Sequence, residues 1–252
     1  MRSSKLAAWL SVVGFALGAP VFAGAAEGQP GKPQADAQAL KGEPSGGKPV
    51  YRPPARGAPG GRVGGGARGI GDELVTMSAL APNHIGLTVT EQPVLHWYLS
   101  KTTARSLEFV LIEHEAIKPL IETRLAPPGQ GGIQRIRLSD YGVRLSPGVL
   151  YRWFVALVPD PDQRSKDIIA GGIIERIEAL QALSARLAQA PKADAPTIYA
   201  EAGIWYDAVA AISDLVDAAP ADASLRNRRA LLLEQVGLLE AAKYEVARAP
   251  AP

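Results

Sequence analysis

Between residues 85 and 176 the chain has seven short apolar segments joined by turn-like segments, several of which contain Gly or Pro, and this pattern restricts the fold more than any other feature. Alternating apolar and polar residues, with many branched and aromatic side chains, are typical of β-strands. Seven short strands joined by turns predict a β-sandwich. The predicted strands are 85–90, 94–100, 107–114, 119–125, 133–138, 149–158 and 168–176.

Two local patterns favour an immunoglobulin- or fibronectin-like sandwich. In the segment PVLHWYL, Trp97 belongs to an apolar row that faces the predicted core. Farther along, a Pro147-Gly148 turn is followed three residues later by Tyr151. This is the spacing of a tyrosine corner, in which the phenol hydroxyl bonds to backbone at the turn.

After residue 177 the apolar period changes from that of a strand to that of a helix. Apolar residues recur every three or four positions from Ile173 to Leu187, which predicts a helix that ends near Ala190. A period of 34 residues follows, as in tetratricopeptide helical hairpins. The matching pairs are Gly203 and Gly237, Ala208 and Ala242, and Ile212 and Val246. Because a free solenoid needs at least three repeats, we expect a short TPR-like helical hairpin packed on the sandwich.

The first residues of the chain have the pattern of a secretory signal peptide. Arg2 and Lys5 precede an apolar stretch, residues 6–19, and a small-residue run at 23–26 offers a cleavage site. The apolar stretch is shorter than the roughly 20 residues that cross a bilayer. We therefore expect cleavage near residue 26, no remaining transmembrane anchor, and a periplasmic or extracellular protein.

Residues 27–71 contain 13 Gly and 7 Pro and almost no large apolar side chain, so we expect a disordered cationic linker. From Asp72 onward the chain has 18 basic and 22 acidic residues. The predicted folded part is therefore acidic, and nucleic acid is not an expected partner. The predicted organisation is a signal peptide (1–26), a linker (27–71), a sandwich (72–177) and a helical region (178–252), with 72–247 as one integrated domain.

Catalytic groups are scarce in this sequence. It has no cysteine, which excludes disulfides, thiolate metal sites and thiol nucleophiles, and only three histidines. Those histidines lie in different predicted segments, and we interpret His96 and His114 as surface residues on an outward sheet face. No histidine stands at a spacing that indicates a Ser-His-Asp hydrolase. We expect a noncatalytic protein without a cofactor or a metal.

The loop DPDQRSKD, residues 160–167, is the best candidate for a polar binding site. Its aspartates offer oxygen ligands to calcium, whereas its two cations suit a carboxylate or a phosphate. A hairpin whose charges pair with one another explains the same residues and is favoured, since Gln163 and the cations interrupt the pattern of an EF-hand loop. The candidate residues are Asp160, Asp162, Arg164, Lys166 and Asp167.

A second candidate is the aromatic pair Trp205 and Tyr206 in the helical region. In a helical hairpin such residues usually fill the gap against the next element. The alternative is an exposed aromatic step, beside Asp207, that anchors a partner peptide.

The ordered part of the chain resembles a known family. The segments that carry the resemblance are LAPNHIGLTVTEQPVLHWYLS, LEFVLIE, LSPGVLYRWFVALVPDPDQRSKDIIAGGIIERI and YAEAGIWYDAVAAISDL. Over about residues 80–246 they are similar to the DUF928 family of exported bacterial proteins. The resemblance implies export and a single integrated domain, and it assigns no activity and no catalytic residue.

These observations together predict an exported, noncatalytic interaction module that binds another envelope or extracellular protein. One alternative is a protein that binds carbohydrate or the cell envelope through sandwich loops and aromatic side chains. The other alternative is an enzyme that uses the carboxylates of Asp160 and Asp162.

Overall fold

Two β-sheets and a set of C-terminal helices make up the described part of the chain, residues 48–54, 60–64, 66–70 and 73–248 of the computed structural model. All of these residues belong to one compact unit, residues 45–252. The strands are β1 (Arg62–Gly64), β2 (Gly66–Ile70), β3 (Glu73–Ala79), β4 (Gly86–Thr88), β5 (Val94–Leu99), β6 (Ser106–Glu113), β7 (Ile121–Leu125), β8 (Gly132–Arg137), β9 (Leu150–Val158) and β10 (Ile168–Arg176).

The first sheet has the strand order β1-β10-β9-β6-β7, and β4 also pairs with β10. The second sheet has the order β2-β3-β5-β8. Neighbouring strands are antiparallel, except that β4 runs parallel to β10. The protein is therefore mainly β, with two antiparallel sheets.

The seven predicted strands are present as β4 to β10, and their ends differ from the predicted ends by at most two residues. The predicted disordered linker, residues 27–71, was wrong for its later part, because β1 and β2 lie within it. Both strands are short and rich in glycine, so they carry little of the apolar alternation that identifies a strand. The earlier part of that linker and the predicted signal peptide lie outside the described residues.

The segment that precedes β1 packs against the helical region through Tyr51. This side chain is buried, and its ring meets the Trp205 ring edge-on with the ring centres 4.9 Å apart. A hydrogen bond of 2.8 Å joins its Oη to His84 Nε2, and the backbone N–H of Arg52 donates to the Ala200 carbonyl. Residues near position 51 are thus part of the folded unit.

One hydrophobic core joins both sheets and the helices. Trp97 of β5 lies in it and is 2% exposed, together with Trp153 of β9 and Trp205 of the helical region. At the turn before β9, Gly148 has φ of 73°, and the Tyr151 hydroxyl accepts a hydrogen bond from the Ser146 backbone N–H at 3.0 Å. That bond fixes the start of β9 to the preceding turn.

Five α-helices follow β10 in the described residues: α1 (Gln181–Gln189), α2 (Ala195–Glu201), α3 (Trp205–Ala218), α4 (Ala223–Glu234) and α5 (Leu239–Ala247). The predicted helix end near Ala190 agrees with the end of α1. Pro196 lies in the first turn of α2, where its missing N–H leaves no helical hydrogen bond unmade. Single 3-10 turns occur at Leu138–Tyr141, Arg164–Lys166 and Lys192–Asp194. None of the described helices combines the length and the apolar character that crossing a membrane requires.

Candidate functional site

The helices cover the outer face of the second sheet, where β5 exposes alternate side chains to them. His96 is 3% exposed, and the Tyr98 ring packs against the Tyr244 ring of α5 with the ring centres 5.4 Å apart. The prediction that His96 is a surface residue was therefore wrong, whereas His114 is exposed. Alternation along a strand separates its two faces, but it does not show whether a later helix covers the second face.

A cleft of about 250 Å³ lies between this face of the sheet and the helices α3, α4 and α5. Polar side chains form much of its lining, with His96 at the sheet and Ser213 on α3. Its charged lining residues are Arg135, Asp217, Arg226, Arg229 and Arg248. Four cations and one carboxylate thus face a single small space.

Arg229 on α4 is the most deeply buried of these arginines. Its Nε and Nη2 donate to Glu245 Oε2 of α5 at 2.9 and 2.6 Å, and its Nη1 donates to Ser213 Oγ at 3.2 Å. Arg226, one turn earlier on α4, places Nη1 3.7 Å from the same Glu245 oxygen. Burial lowers the pKa of Arg229, and the neighbouring Glu245 carboxylate opposes that effect.

The other two arginines reach the cleft from β8 and from the residue after α5. Arg135 forms ion pairs with Asp217 and, at 3.7 Å, with Asp214. Arg248 donates from Nη1 to Tyr244 Oη at 2.8 Å, and its guanidinium lies 5.4 Å from the centre of that ring. The carboxylates that pair with arginines of the lining are those of Asp214, Asp217 and Glu245. Because there are three of them and four arginines, positive charge is in excess.

His96 supplies the lining with a buried hydrogen-bond acceptor. Burial, and then the charges of Arg229 and Arg135, lower the pKa of His96 to about 3, while a hydrogen bond to the Val94 backbone opposes that shift. The ring is therefore neutral near pH 7. Its Nε2 is buried and has no hydrogen-bond partner among the described residues. Buried polar atoms are nearly always paired in folded proteins, so this nitrogen is open to a hydrogen bond from a bound group or a water molecule.

The loop of residues 160–167 is held by contacts among its own residues and with β6. Asp160 accepts hydrogen bonds from the Asp162 backbone N–H at 3.0 Å and from Gln163 Nε2 at 2.7 Å. Arg164 donates to Glu108 of β6 at 2.6 and 3.2 Å, and its Nε lies 2.8 Å from Asp167 Oδ2. No group of three His, Asp or Glu side chains in the described ranges is placed to hold a metal ion.

Trp205 and Tyr206 lie at the start of α3 and are both buried. Trp205 Nε1 donates to the Leu80 carbonyl at 2.8 Å. Tyr206 Oη accepts from Trp153 Nε1 at 2.9 Å and donates to the Ile173 carbonyl at 3.1 Å. The interpretation of this pair as an exposed anchor for a partner peptide was wrong, because both rings fill the gap between α3 and the sheets.

The next residue, Asp207, joins α3 by hydrogen bonds to the segment that follows β4. Its carboxylate accepts hydrogen bonds from the Val89 backbone N–H, at 3.2 Å, and from the hydroxyl of Thr90. Burial raises the pKa of Asp207, and the hydrogen bonds from Thr88 and Thr90 oppose that rise. This buried carboxylate lies apart from the cleft and has its acceptor positions occupied.

The arginine-lined cleft was missed by the sequence analysis. Its one local signal is the pair Arg226 and Arg229, which stand three positions apart and so share a face of α4. Arg135 and Arg248 come from distant parts of the sequence, and only the packing of the helices on the second sheet brings them together.

A family model, "Domain of Unknown Function (DUF928)", matches residues 63–246. Among solved structures, a multi-domain immunophilin from Arabidopsis thaliana aligns at 8% identity over 74% of this chain and 97% of that chain, with a TM-score of 0.18. A TM-score this low carries no argument about fold or function. No curated protein matches the chain. The family match runs from β1 to the last turn of α5, and the chain accordingly belongs to the DUF928 family.

Proposed function

We propose that the protein is an exported, noncatalytic binding protein, and that the cleft between the second sheet and the helices holds its ligand, a small acidic molecule. The observation that carries the proposal is the lining itself. Four arginines line the cleft together with His96, whose buried Nε2 has no partner among the described residues.

The charge and the size of the cleft both favour a small acid. Guanidinium groups bind carboxylates and phosphates through paired, charge-assisted hydrogen bonds. Pockets for drug-sized ligands usually measure about 300–1,000 Å³. The cleft is slightly smaller, at about 250 Å³, and therefore suits one small molecule or one residue of a polymer.

We further propose that the two sheets form an immunoglobulin-like sandwich and that the helices form a TPR-like hairpin. The hydrogen bond from Ser146 to the Tyr151 hydroxyl has the character of a tyrosine corner. Gly203 and Gly237, 34 residues apart, both have positive φ, of 77° and 74°, and each stands two residues before a helix. In this scheme the ligand lies where the hairpin meets the sandwich.

Among the functions expected from the sequence, binding of carbohydrate or of the cell envelope now has the better support, with the arginines of the cleft in place of sandwich loops and aromatic side chains. The proposal of a protein partner in the envelope has less support, since the side chains expected to contact that partner, Trp205 and Tyr206, are buried. The proposal of a carboxylate enzyme has little support from Asp160, whose oxygens accept two hydrogen bonds within its own loop.

Calorimetric titration with glucuronate tests the proposed function. Arg248 is exposed and its guanidinium contacts only a tyrosine among the contacts described above, so the Arg248→Gln variant is expected to fold normally. We expect it to bind glucuronate about tenfold more weakly than the wild type, because one charge-assisted hydrogen bond is lost.

The matched control is Arg105→Gln, which removes an exposed arginine that is not among the residues lining the cleft. This variant is expected to bind glucuronate as the wild type does. Equal affinities for the wild type and Arg248→Gln, or no heat of binding for any of the three proteins, would contradict the proposal.

A further inference from the structure

The cleft is rich in hydrogen-bond donors and contains one buried acceptor that no donor reaches. Arginine side chains only donate, and four of them line the cleft. His96 Nε2 receives none of their N–H groups, because Arg229 donates to Glu245 and Ser213 while Arg135 is paired with Asp217. A simple anion would satisfy the arginines and leave Nε2 unpaired.

We propose that the ligand presents two groups at once: an acid group that contacts the arginines, and a neighbouring hydroxyl group that donates a hydrogen bond to His96 Nε2. An acidic sugar, bearing either a carboxylate or a phosphate, is the class of molecule that combines them in a small volume. This inference rests on the proposed function, since it concerns the ligand of the same cleft.

Other lining groups fit a ligand with several hydroxyls. Gln130 and Ser213 line the cleft beside the arginines, and such polar groups exchange hydrogen bonds with sugar hydroxyls. A hydrophobic acid of the same size would bury Nε2 without a donor, which carries a substantial penalty for a buried polar atom. The lining therefore selects a hydroxylated acid over an apolar one.

The first part of the test compares ligands on the unaltered protein. Glucuronate has a carboxylate and hydroxyls, cyclohexanecarboxylate has a ring and a carboxylate but no hydroxyl, and glucose has hydroxyls but no charge. We expect calorimetry to show glucuronate binding at least about tenfold more tightly than either of the others. Cyclohexanecarboxylate lacks the hydrogen bond to Nε2, and glucose lacks the charge-assisted hydrogen bonds to the arginines.

The second part uses the variant His96→Phe, which keeps a ring of similar size and removes the acceptor. It is expected to remove the preference for glucuronate. The affinity for glucuronate falls because its hydroxyl loses the acceptor, and the affinity for cyclohexanecarboxylate rises because no unpaired buried acceptor remains. If this variant does not fold, the ligand comparison on the wild type decides alone.

Failure of this inference is distinct from failure of the proposed function. Equal affinities for glucuronate and cyclohexanecarboxylate would overturn the inference, because a water molecule would then be the donor to Nε2. The proposed acid-binding cleft would remain. Absence of binding by both acids, or binding of glucose as tight as that of glucuronate, would overturn both.

A further pair of probes identifies the source of the acid group. Glucose 6-phosphate and inorganic phosphate repeat the comparison with a phosphate in place of the carboxylate. Tighter binding of glucose 6-phosphate than of glucuronate would assign the site to sugar phosphates, and the reverse order to sugar acids. Either order supports the inference provided that the hydroxylated member of each pair binds more tightly than the one without sugar hydroxyls.

Discussion

The imidazole of His96 is buried and neutral, and the charges of Arg229 and Arg135 act on it. The free energy of unfolding therefore depends on pH in the acid range. The pKa of His96 is lowered to about 3 by burial and by Arg229 and Arg135. An unfolded histidine takes up a proton below about pH 6.5, whereas the folded one stays neutral down to about pH 3. Protonation therefore favours the unfolded chain throughout that interval.

We predict that His96 lowers the free energy of unfolding by about 1.4 kcal/mol for each pH unit between roughly pH 6 and 4. Urea denaturation of the wild type and of His96→Phe at several pH values measures this, since the difference between the two proteins isolates the histidine. His114→Phe, at an exposed position, is the control for the effect of replacing a histidine by phenylalanine as such. Parallel profiles for the wild type and His96→Phe would show that His96 is not held neutral.

At the scale of elements, helix α3 connects the helices to the rest of the protein. Trp205 and Tyr206 bond to Leu80 and to Trp153 across the core, and Asp207 bonds to the segment after β4. The three consecutive side chains thus reach both sheets or the loops that join them. The helix that bounds one side of the cleft is placed by these contacts.

Trp205→Ala is predicted to lower the free energy of unfolding by about 3–5 kcal/mol, as large-to-small substitutions in a core do. The reason is the loss of a fully buried ring together with its hydrogen bond to Leu80. Leu239→Ala, at an exposed position at the start of α5, is the control and is expected to change stability by less than about 0.5 kcal/mol. A Trp205→Ala protein with wild-type stability would show that this ring is not part of the core.

Strands and helices with a clear apolar period were predictable from the sequence, and those without one were not. Residues 150–158 form a long apolar run and were identified within one residue. The strand Gly66–Ile70 has the sequence GARGI, in which no period can be seen, and it forms by pairing with β3. For such a segment the tertiary partner, and not local preference, determines the structure.

At the scale of the whole molecule, the segment before the predicted domain belongs to the fold. Tyr51 packs on Trp205, and β1 pairs with β10 at the edge of the first sheet. Both contacts join residues that are far apart in the sequence. The predicted domain boundary at residue 72 was chosen from composition alone. It leaves Tyr51 and β1 outside the domain, although both pack against it.

A chain that begins at residue 72 is therefore predicted to melt at least about 4–8 °C below one that begins at residue 45. Burial of the Tyr51 side chain contributes roughly 2 kcal/mol, and in a domain of this size each kcal/mol shifts Tm by about 2–4 °C. Differential scanning calorimetry of the two chains measures the shift. Equal melting temperatures would show that Tyr51 and β1 add nothing to the stability of the fold.

The cleft is also a property of the whole molecule, which explains why sequence analysis overlooked it. Arg135 lies on β8 and Arg248 follows α5, so their approach depends on how the helices dock on the second sheet. The residues that were singled out, Asp160 and Trp205, stood out because their neighbours in the sequence are polar or aromatic. Grouping of similar residues in the sequence thus led to one surface loop and one core residue. The cleft is formed by residues from distant parts of the sequence, and almost no pattern in the sequence predicts it.

A crystal structure of the protein grown with glucuronate tests the central claim most directly. We predict that the sugar lies in the cleft, with its carboxylate against the arginine side chains and one hydroxyl within about 3 Å of His96 Nε2. An empty cleft at saturating glucuronate, or a sugar bound at another surface with its carboxylate away from these arginines, would contradict the account.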